Sequence, residues 1–276
     1  MAIKTDAEYK SFCDLLEKMS GISLGEGKQY LVVSRLRNLM KEEQVEGLDG
    51  IIAKMRQEPK GAVTMKVIDA MTTNETLWFR DTHPFEILKN QLLTEHYKGQ
   101  PSRSLRIWSA ACSTGQEPYS ISMTLEEFYA KNPGTGKNLS KIVATDLSDT
   151  VLAMARQGEY ASLAIGRGLS QDRLKRFFMP MADGRSKIKP EVASRVEFRK
   201  LNLLESYALL GRFDIVFCRN VLIYFTADVK KQILTKIHSC LQPGGYLFLG
   251  GSESLNGMNE LYEMVHCRPG IIYRRK

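Results

Sequence analysis

The sequence predicts an α/β fold in which a small all-α domain precedes a parallel sheet that is covered on both faces and carries a small antiparallel β-insert. Three observations support this. Amphipathic helical patterns fill the first part of the 276-residue chain, strand and helix patterns alternate from residue 105 onward, and a basic stretch with a tight-turn signal interrupts that alternation. The predicted units are a helical domain (1–80), a connecting helix (81–98) and an α/β domain (99–276) with the insert at about 177–199.

The helical domain is predicted from apolar periodicity and from helix-start signals. Thr5, Asp6, Ala7 and Glu8 form a capping-box pattern, in which the side chains of the first and last residue satisfy backbone N–H groups at the start of a helix. The predicted helices cover residues 5–19, 28–43, about 48–55, about 61–71 and, as the connecting helix, about 83–96. Helices joined by such short loops indicate a small all-α domain.

The α/β domain is predicted from buried strand patterns that alternate with amphipathic helices. Predicted strands cover residues 105–109, 141–145, 213–218 and 246–249, predicted helices cover 117–130, 148–157 and 228–241, and a last edge strand covers 271–274. Within the insert, Asp183 and Gly184 tolerate the positive φ of a hairpin turn. We assign residues 196–198 to the same antiparallel insert.

Composition excludes several classes of protein. The most apolar stretch, residues 215–225, is short and is interrupted by Arg219 and Asn220, so no membrane-spanning helix is predicted. The N-terminus lacks the apolar core of a signal peptide. Five scattered cysteines without a C-x-x-C pair predict reduced thiols in a cytoplasmic protein, with neither a disulfide framework nor a metal site.

The formal charge of +8 is unevenly distributed. Residues 1–60 carry ten basic and ten acidic side chains, whereas residues 156–200 carry eleven basic and five acidic ones. Such a basic segment favours an acidic partner, either protein or nucleic acid, or it is a solvated face.

Polar residues follow the first two predicted strands, at the sheet edge where parallel α/β proteins bind ligands. Small residues and a single glycine, Gly115, follow the first strand at 109–115. The G-x-G-x-x-G fingerprint is missing, so a nucleoside without a pyrophosphate fits better than a dinucleotide; the alternative is a purely structural turn. Asp146 ends the second strand, where it could accept hydrogen bonds from ribose hydroxyls or cap the next helix.

Two further segments are unusual. Residues 71–81 place Asn74 as a possible cap of a helical turn, Trp78 and Phe79 as inward-packing aromatics, and Arg80 as a fork suited to a carboxylate. Residues 213–225 form a buried strand with a polar end, and a Leu-x-Pro-Gly-Gly turn follows at 241–245. This last pairing resembles the Rossmann-like methyltransferases that use S-adenosylmethionine (SAM).

Four motifs in order resemble the chemotaxis-receptor methyltransferase (CheR) family over nearly the whole chain. They are Thr-Thr-Asn-x-Thr-x-x-Phe-Arg at 72–80, Ala-Cys-Ser-Thr-Gly-x-Glu-Pro-Tyr-Ser at 111–120, Ala-Thr-Asp at 144–146 and Cys-Arg-Asn-Val-Leu-Ile-Tyr-Phe at 218–225. The resemblance implies a Rossmann-like SAM-dependent methyltransferase sheet. It also implies a helical N-terminal domain that contacts the receptor, and a β-insert.

The resemblance also implies roles for individual residues. The residues that it assigns to SAM binding are Asn74, Thr76, Arg80, Glu117, Asp146, Asn202, Leu203, Arg219 and Asn220. Those that it places near the reacting methyl and the acceptor, as catalytic residues, are Arg80, Arg219 and Tyr224. Trp78 replaces another aromatic of the family, and Gln116 stands where an acid is frequent.

The implied function is SAM-dependent O-methylation of glutamates on cytoplasmic chemoreceptor helices, with S-adenosylhomocysteine as product, by a cytoplasmic enzyme recruited to membrane-bound receptor arrays. Basic residues of the second predicted helix suit such a partner or are solubilising charges: Lys28, Arg35, Arg37 and Lys41. Docking of further regulatory proteins stays open, and no stable nucleic-acid complex is expected. The alternatives are a nucleic-acid methyltransferase of the same fold, a non-catalytic SAM-sensing module that binds a protein, and, more distantly, a nucleotide-dependent oxidoreductase.

Overall fold

A computed structural model describes residues 5–136, 139–255 and 257–276. The first four helices are α1 (Asp6–Ser20), α2 (Gln29–Glu42), α3 (Leu48–Gln57) and α4 (Ala62–Met71). The Thr5 hydroxyl accepts from the Glu8 N–H at 3.2 Å, which confirms the first half of the predicted capping box. Apolar side chains from all four helices form a separate core, which includes Phe12, Leu36, Ile51 and Val67.

The connecting helix is continuous from residue 83 to residue 97. It consists of α5 (His83–Ile87), a π-helical turn (Leu88–Leu92) and α6 (Leu93–Tyr97). Its buried side chains join the core on one face of the main sheet. The helix therefore ties the helical domain to the sheet.

The remaining elements include the predicted alternation of strands and helices, together with short elements at 159–160, 162–165, 171–177, 190–193 and 262–266 that the sequence did not predict. The elements in chain order are β1 (Leu105–Ala110), α7 (Gln116–Lys131), β2 (Ser140–Asp146), α8 (Asp149–Gln157), β3 (Glu159–Tyr160), α9 (Ser162–Ile165), α10 (Gln171–Phe177), β4 (Phe178–Pro180), β5 (Ser186–Ile188), α11 (Pro190–Ala193), β6 (Val196–Lys200), β7 (Phe213–Cys218), α12 (Ala227–Cys240), β8 (Leu241–Leu249), β9 (Tyr262–His266) and β10 (Ile271–Arg275). Short 3₁₀ turns lie at Ala208–Leu210 and Leu222–Tyr224.

Among the described residues, the main sheet has seven strands in the order β6-β2-β1-β7-β8-β10-β9. The first five are parallel, and β10 is antiparallel to both of its neighbours. Separate apolar clusters cover the two faces. The small sheet has the order β3-β5-β4 and is antiparallel. The predicted fold class, including the β-insert, is confirmed.

Three details of the prediction are wrong. Residues 196–198 do not belong to the insert, because β6 pairs in parallel with β2 and Phe198 packs on Tyr119 in the main domain. Residues 271–274 are not at the edge, because β9 lies outside β10. Strand β8 begins at Leu241, so the Pro-Gly-Gly segment lies within it, where a register shift against β7 accommodates the extra residues.

Candidate active site

An open cavity lies beyond the carboxyl ends of β1, β2 and β7; its empty space, including the solvent at its open mouth, is about 1030 Å³. Its position is the one expected for ligands of a parallel α/β sheet. The structure brings together in its wall all ten residues that the resemblance singled out: Asn74, Thr76, Arg80, Glu117, Asp146, Asn202, Leu203, Arg219, Asn220 and Tyr224.

The loop after β1 brings backbone close to the cavity. Ala111 and Ser113 have positive φ angles of 61° and 49°, and Gly115 has a φ of 95°. A Cβ on Gly115 would lie 3.1 Å from the Tyr160 hydroxyl and from the Ala155 Cβ, so this turn has little room for a side chain. Left-handed conformations at non-glycine residues are strained and concentrate at functional sites.

Asp146 lies at the end of β2 and is held by backbone donors. One of its carboxylate oxygens accepts from the Ser113 N–H at 2.8 Å, and the other accepts from the Ser148 N–H at 3.1 Å. Burial raises the pKa of Asp146, and these N–H groups offset part of that shift. Ser148, rather than Asp146, is the N-cap of α8, because its hydroxyl accepts from the Val151 N–H. Asp146 therefore keeps acceptor capacity for a ligand.

Residues 72–77 leave the end of α4 as irregular backbone along the cavity. Asn74 does not cap a helical turn. Its side-chain amide donates to the Thr72 hydroxyl at 3.2 Å, and its backbone carbonyl accepts from the Ser113 hydroxyl at 2.9 Å. Trp78 and Phe79 are buried as predicted. The backbone N–H of Trp78 donates to the backbone carbonyl of Arg167 at 3.1 Å. The loop before α10 therefore supports this segment.

Arg219 is the centre of a buried charge cluster, with a side chain only 1% exposed. Its guanidinium donates to the Glu117 carboxylate at 3.0 Å, to the Asp81 carboxylate at 2.7 Å and to the Arg80 carbonyl at 3.0 Å. Burial raises the pKa of Glu117, although Arg219 and the Ser109 hydroxyl oppose that shift. The Arg219 Nε–H has no hydrogen-bond partner among the described residues.

The loop after β7 is shaped by a carboxylate that the sequence analysis missed. Glu253 accepts hydrogen bonds from the backbone N–H groups of Asn220, Val221, Leu222 and Gly250, at 2.6–2.9 Å. This cluster holds Asn220 at a positive φ of 58°. The nearby Gly250-Gly251 pair was the available signal, because it marks a close backbone approach.

The helical domain forms part of the cavity wall. The Asn202 amide donates to the Met19 carbonyl at 2.8 Å, and the Ser23 N–H donates to the Tyr224 carbonyl at 2.9 Å. A Cβ on Gly21 would lie 2.7 Å from the Phe225 ring. Ser20 and Ile22 reach the cavity itself, and no sequence signal marked them.

Most basic side chains of residues 156–200 have partners within the chain. The pairs are Arg156 with the Phe198 carbonyl, Arg173 with Glu127, Arg185 and Lys187 with Glu159, Lys189 with the Lys175 and Arg176 carbonyls, Arg195 with Glu126, Arg199 with Glu197, and Lys200 with Asp149. Three of these acids, Glu126, Glu127 and Asp149, come from outside the segment, and Glu127 also pairs with Lys89, so they offset at most half of the surplus of six.

Over the described ranges, no helix has the length and apolar character to cross a membrane. The same residues contain no His, Cys, Asp or Glu cluster suited to holding a metal ion.

Comparison with known proteins gives the same family for both parts of the chain. Residues 7–72 match the family described as CheR methyltransferase, all-alpha domain, and residues 74–271 match CheR methyltransferase, SAM binding domain. The chain is 58% identical over 269 residues to chemotaxis protein methyltransferase Cher2 of Pseudomonas putida, covering 98% of each chain. It is 56% identical to chemotaxis protein methyltransferase 1 of Pseudomonas aeruginosa (98% of each chain) and 50% identical to that of Vibrio cholerae (99% and 98%).

Proposed function

The chain belongs to the CheR methyltransferase family, and on that premise we propose that it methylates glutamate side chains on the cytoplasmic helices of chemoreceptors. SAM-dependent methyl transfer is the family's activity, and SAM is the cofactor. The proposed product is a glutamate methyl ester, which adjusts receptor signalling during adaptation. The observation that carries the proposal is the convergence on one cavity, at the carboxyl edge of the sheet, of all ten residues that the family resemblance singled out.

The residues of the cavity fit a SAM molecule. Asp146 uses two of its acceptor positions on backbone N–H groups and keeps others for the ribose hydroxyls. The Arg219 Nε–H has no acceptor among the described residues, and Arg80 lies half-buried nearby, so both suit a ligand carboxylate. Small residues after β1 allow the ligand to approach the backbone. We assign the cofactor-binding roles on this basis.

When bound, SAM supplies an electrophilic methyl group on a positively charged sulfur. The acceptor glutamate, with an ordinary pKa of about 4.3, is already ionised at neutral pH, so the chain does not need to supply a general base. What its residues must supply is orientation of the acceptor and exclusion of water. Tyr224, half-buried in the wall, has a hydroxyl that can orient the acceptor carboxylate.

Arg219 can support the site without forming a strong ion pair with the acceptor carboxylate. A cation that paired tightly with the attacking oxygen would stabilise the bound substrate more than the transition state, because the acceptor loses its charge as the methyl is transferred. Glu117 and Asp81 already face this guanidinium. We infer that Arg219 fixes the backbone at Arg80, whose carbonyl it holds, and that Arg80 mainly holds SAM.

We further propose that residues 1–80 form the receptor-contacting domain, that residues 81–98 connect it, and that residues 99–276 form the catalytic domain. Lys28, Arg37 and Lys41 are exposed on or beside α2, where an acidic receptor surface could meet them. The enzyme would then act at the cytoplasmic side of membrane-bound receptor arrays. Glu126, Glu127 and Asp149, from outside the basic segment at 156–200, offset part of its charge, which weakens the support for the nucleic-acid alternative.

The deciding experiment uses radiolabelled methyl-SAM and bacterial membranes with and without chemoreceptors. Receptor-dependent label that alkali releases as methanol would support a carboxyl ester on the receptor. Label that survives alkali would contradict glutamate esterification and favour an N-, C- or ether-linked product. Measurable SAM binding without any transfer would instead favour a sensor.

A further inference from the structure

The irregular segment 72–77 is a critical part of the cofactor site. It contributes Asn74 and Thr76 to the cavity and leads directly to Arg80. Because it has neither helical nor strand hydrogen bonding, its conformation depends on contacts from neighbouring elements. One contact to the segment comes from the α/β domain, where the Ser113 hydroxyl donates to the Asn74 backbone carbonyl, and a second holds the adjoining residue, because the Trp78 backbone N–H donates to the Arg167 carbonyl.

A third contact comes from the helical domain, through Arg35 on α2. Its guanidinium donates to the Met71 carbonyl at 2.8 Å and to the Thr72 carbonyl at 3.1 Å. It also donates to the Thr73 hydroxyl at 3.2 Å and lies 3.5 Å from the Ala70 carbonyl. One side chain therefore spans the end of α4 and the first two residues of the cofactor segment.

The chemistry of this contact favours an arginine. The last carbonyls of a helix have no partner within the helix and carry its negative dipole end, so a cation is stabilised there. A planar guanidinium can bond several of them at once, whereas an ammonium is a point charge. Arg35 thus fixes where the chain leaves α4 and enters the cavity wall.

We propose that Arg35 is a positioning residue for SAM: it acts from the N-terminal domain on segment 72–77 and so makes that domain part of the cofactor site. This differs from the sequence-based expectation that Arg35, like its helix neighbours, presents its charge to a partner. Arg37 and Lys41 are exposed on the same helix, whereas Arg35 is partly buried. The inference rests on the cofactor site of the proposed function but does not depend on the identity of the acceptor.

The test is calorimetric titration of SAM into the full-length protein without any receptor, for wild type, Arg35→Ala, Arg35→Lys and the matched control Arg37→Ala. We expect Arg35→Ala to weaken SAM binding about tenfold, since several charge-assisted hydrogen bonds are lost. Arg35→Lys should fall in between, and Arg37→Ala should bind SAM as wild type does. Unchanged SAM affinity in Arg35→Ala would overturn the proposal.

Two further measurements distinguish a role of Arg35 in SAM binding from a role in stability alone. Thermal unfolding without SAM reports the general cost of each substitution. Thr73→Val removes one acceptor of Arg35 while leaving α2 intact, and because Thr73 itself lines the cavity, this variant is measured in both the wild-type and the Arg35→Ala background. The proposal requires Thr73→Val to weaken SAM binding in the wild-type background at an unchanged melting temperature, and to add little once Arg35 is alanine. A loss of stability with full SAM affinity, or the same loss of affinity in both backgrounds, would contradict it. In methylation assays, the Arg35 variants should raise KM for SAM and leave KM for receptor membranes unchanged. A rise in only the receptor KM would show an acceptor contact instead.

Discussion

Tyr224 has its side chain half-buried in the cavity wall, while its backbone carbonyl accepts from the Ser23 N–H. If its hydroxyl orients the acceptor, Tyr224→Phe should lower kcat about tenfold, the effect of losing one hydrogen bond in the transition state. SAM affinity should stay within about twofold of wild type, because the ring still fills its place. Receptor-methylation rates and SAM titration measure the two effects.

The control for this prediction is Tyr246→Phe, which removes a hydroxyl that binds Glu95 outside the cavity. The Tyr246→Phe substitution should leave both kcat and SAM affinity unchanged. An equal loss of turnover and SAM affinity in Tyr224→Phe would refute the assignment of its hydroxyl to the acceptor.

Asp146 predicts a pH dependence of SAM binding. Burial raises its pKa above the ordinary 3.8, the Ser148 and Ser113 N–H groups offset part of that rise, and Asp69 adds a smaller rise. The ionised form accepts hydrogen bonds more strongly, so SAM affinity should be constant well above the raised pKa and should fall as pH drops through it.

Asp146→Asn should weaken SAM binding at neutral pH and should retain only the part of the pH dependence that Glu117 supplies, whose pKa burial also raises. Titrations at a series of pH values measure this. The matched control is Asp149→Asn, an exposed acid three residues further on that pairs with Lys200. If the Asp146→Asn variant kept the wild-type pH profile, Asp146 would not be the titrating ligand.

The sequence allowed the motif residues of the site to be predicted but not all of their supports. Asn74, Asp146 and Arg219 belong to compact motifs, so a resemblance could find them. Asp81 and Glu253 contact the site through pairings across the fold, and a lone acid in sequence does not indicate its partner. For the same reason, the contacts of Arg35 with residues 71–73 could not be predicted, because in the sequence it resembles an exposed charge on a helix.

At the scale of elements, the loop between β7 and α12 depends on Glu253. Its carboxylate receives four backbone N–H groups, and a carboxylate is acceptor-only. Glu253→Gln keeps the size and shape of the side chain but replaces one acceptor oxygen with an NH₂ group. That group is itself a donor and would face the backbone N–H donors of the loop. We expect a loss of about 2 kcal/mol in the free energy of unfolding, together with lower SAM affinity and lower turnover.

Urea unfolding and SAM titration test this prediction, with the exposed Glu260→Gln as control. A stable Glu253→Gln variant with normal SAM binding would show that the loop holds its shape without the carboxylate.

The helices and the central strands were predictable because their apolar periodicity is strong and local. Strand β6 was misassigned because alternation in a short segment fixes a strand but not its partner; tertiary packing of Phe198 decides that. Strand β9 was missed because three of its five residues, Glu263, Met264 and His266, are exposed, which leaves a weak pattern at the sheet edge. The start of β8 was missed because a Pro-Gly-Gly turn is normally read as a break.

At the scale of the whole molecule, acids from outside the basic segment offset part of the charge that the sequence count places there. The basic segment at 156–200 is largely paired within the chain, as described above. On α2, by contrast, Arg37 and Lys41 are exposed, while the helix's acids Glu42 and Glu43 (the latter at its C-cap) pair with Lys66 and Lys54 from neighbouring helices. Arg37 and Lys41 therefore form a local positive patch on α2, within a stretch (residues 1–60) whose basic and acidic side chains are equal in number.

This distribution predicts which part of the molecule attracts an acidic receptor. The double variant Arg37→Glu, Lys41→Glu should raise KM for receptor membranes at least about tenfold at low salt and should flatten the dependence of the rate on ionic strength, because screening acts on exposed charges. SAM affinity should not change, since neither side chain lines the cavity.

The control is Lys175→Glu, an exposed position in the basic segment, which should behave as wild type. If Lys175→Glu weakened receptor methylation more than the α2 variant, the β-insert side would be the docking surface, and the local pairing of its charges would not prevent it from binding an acidic partner.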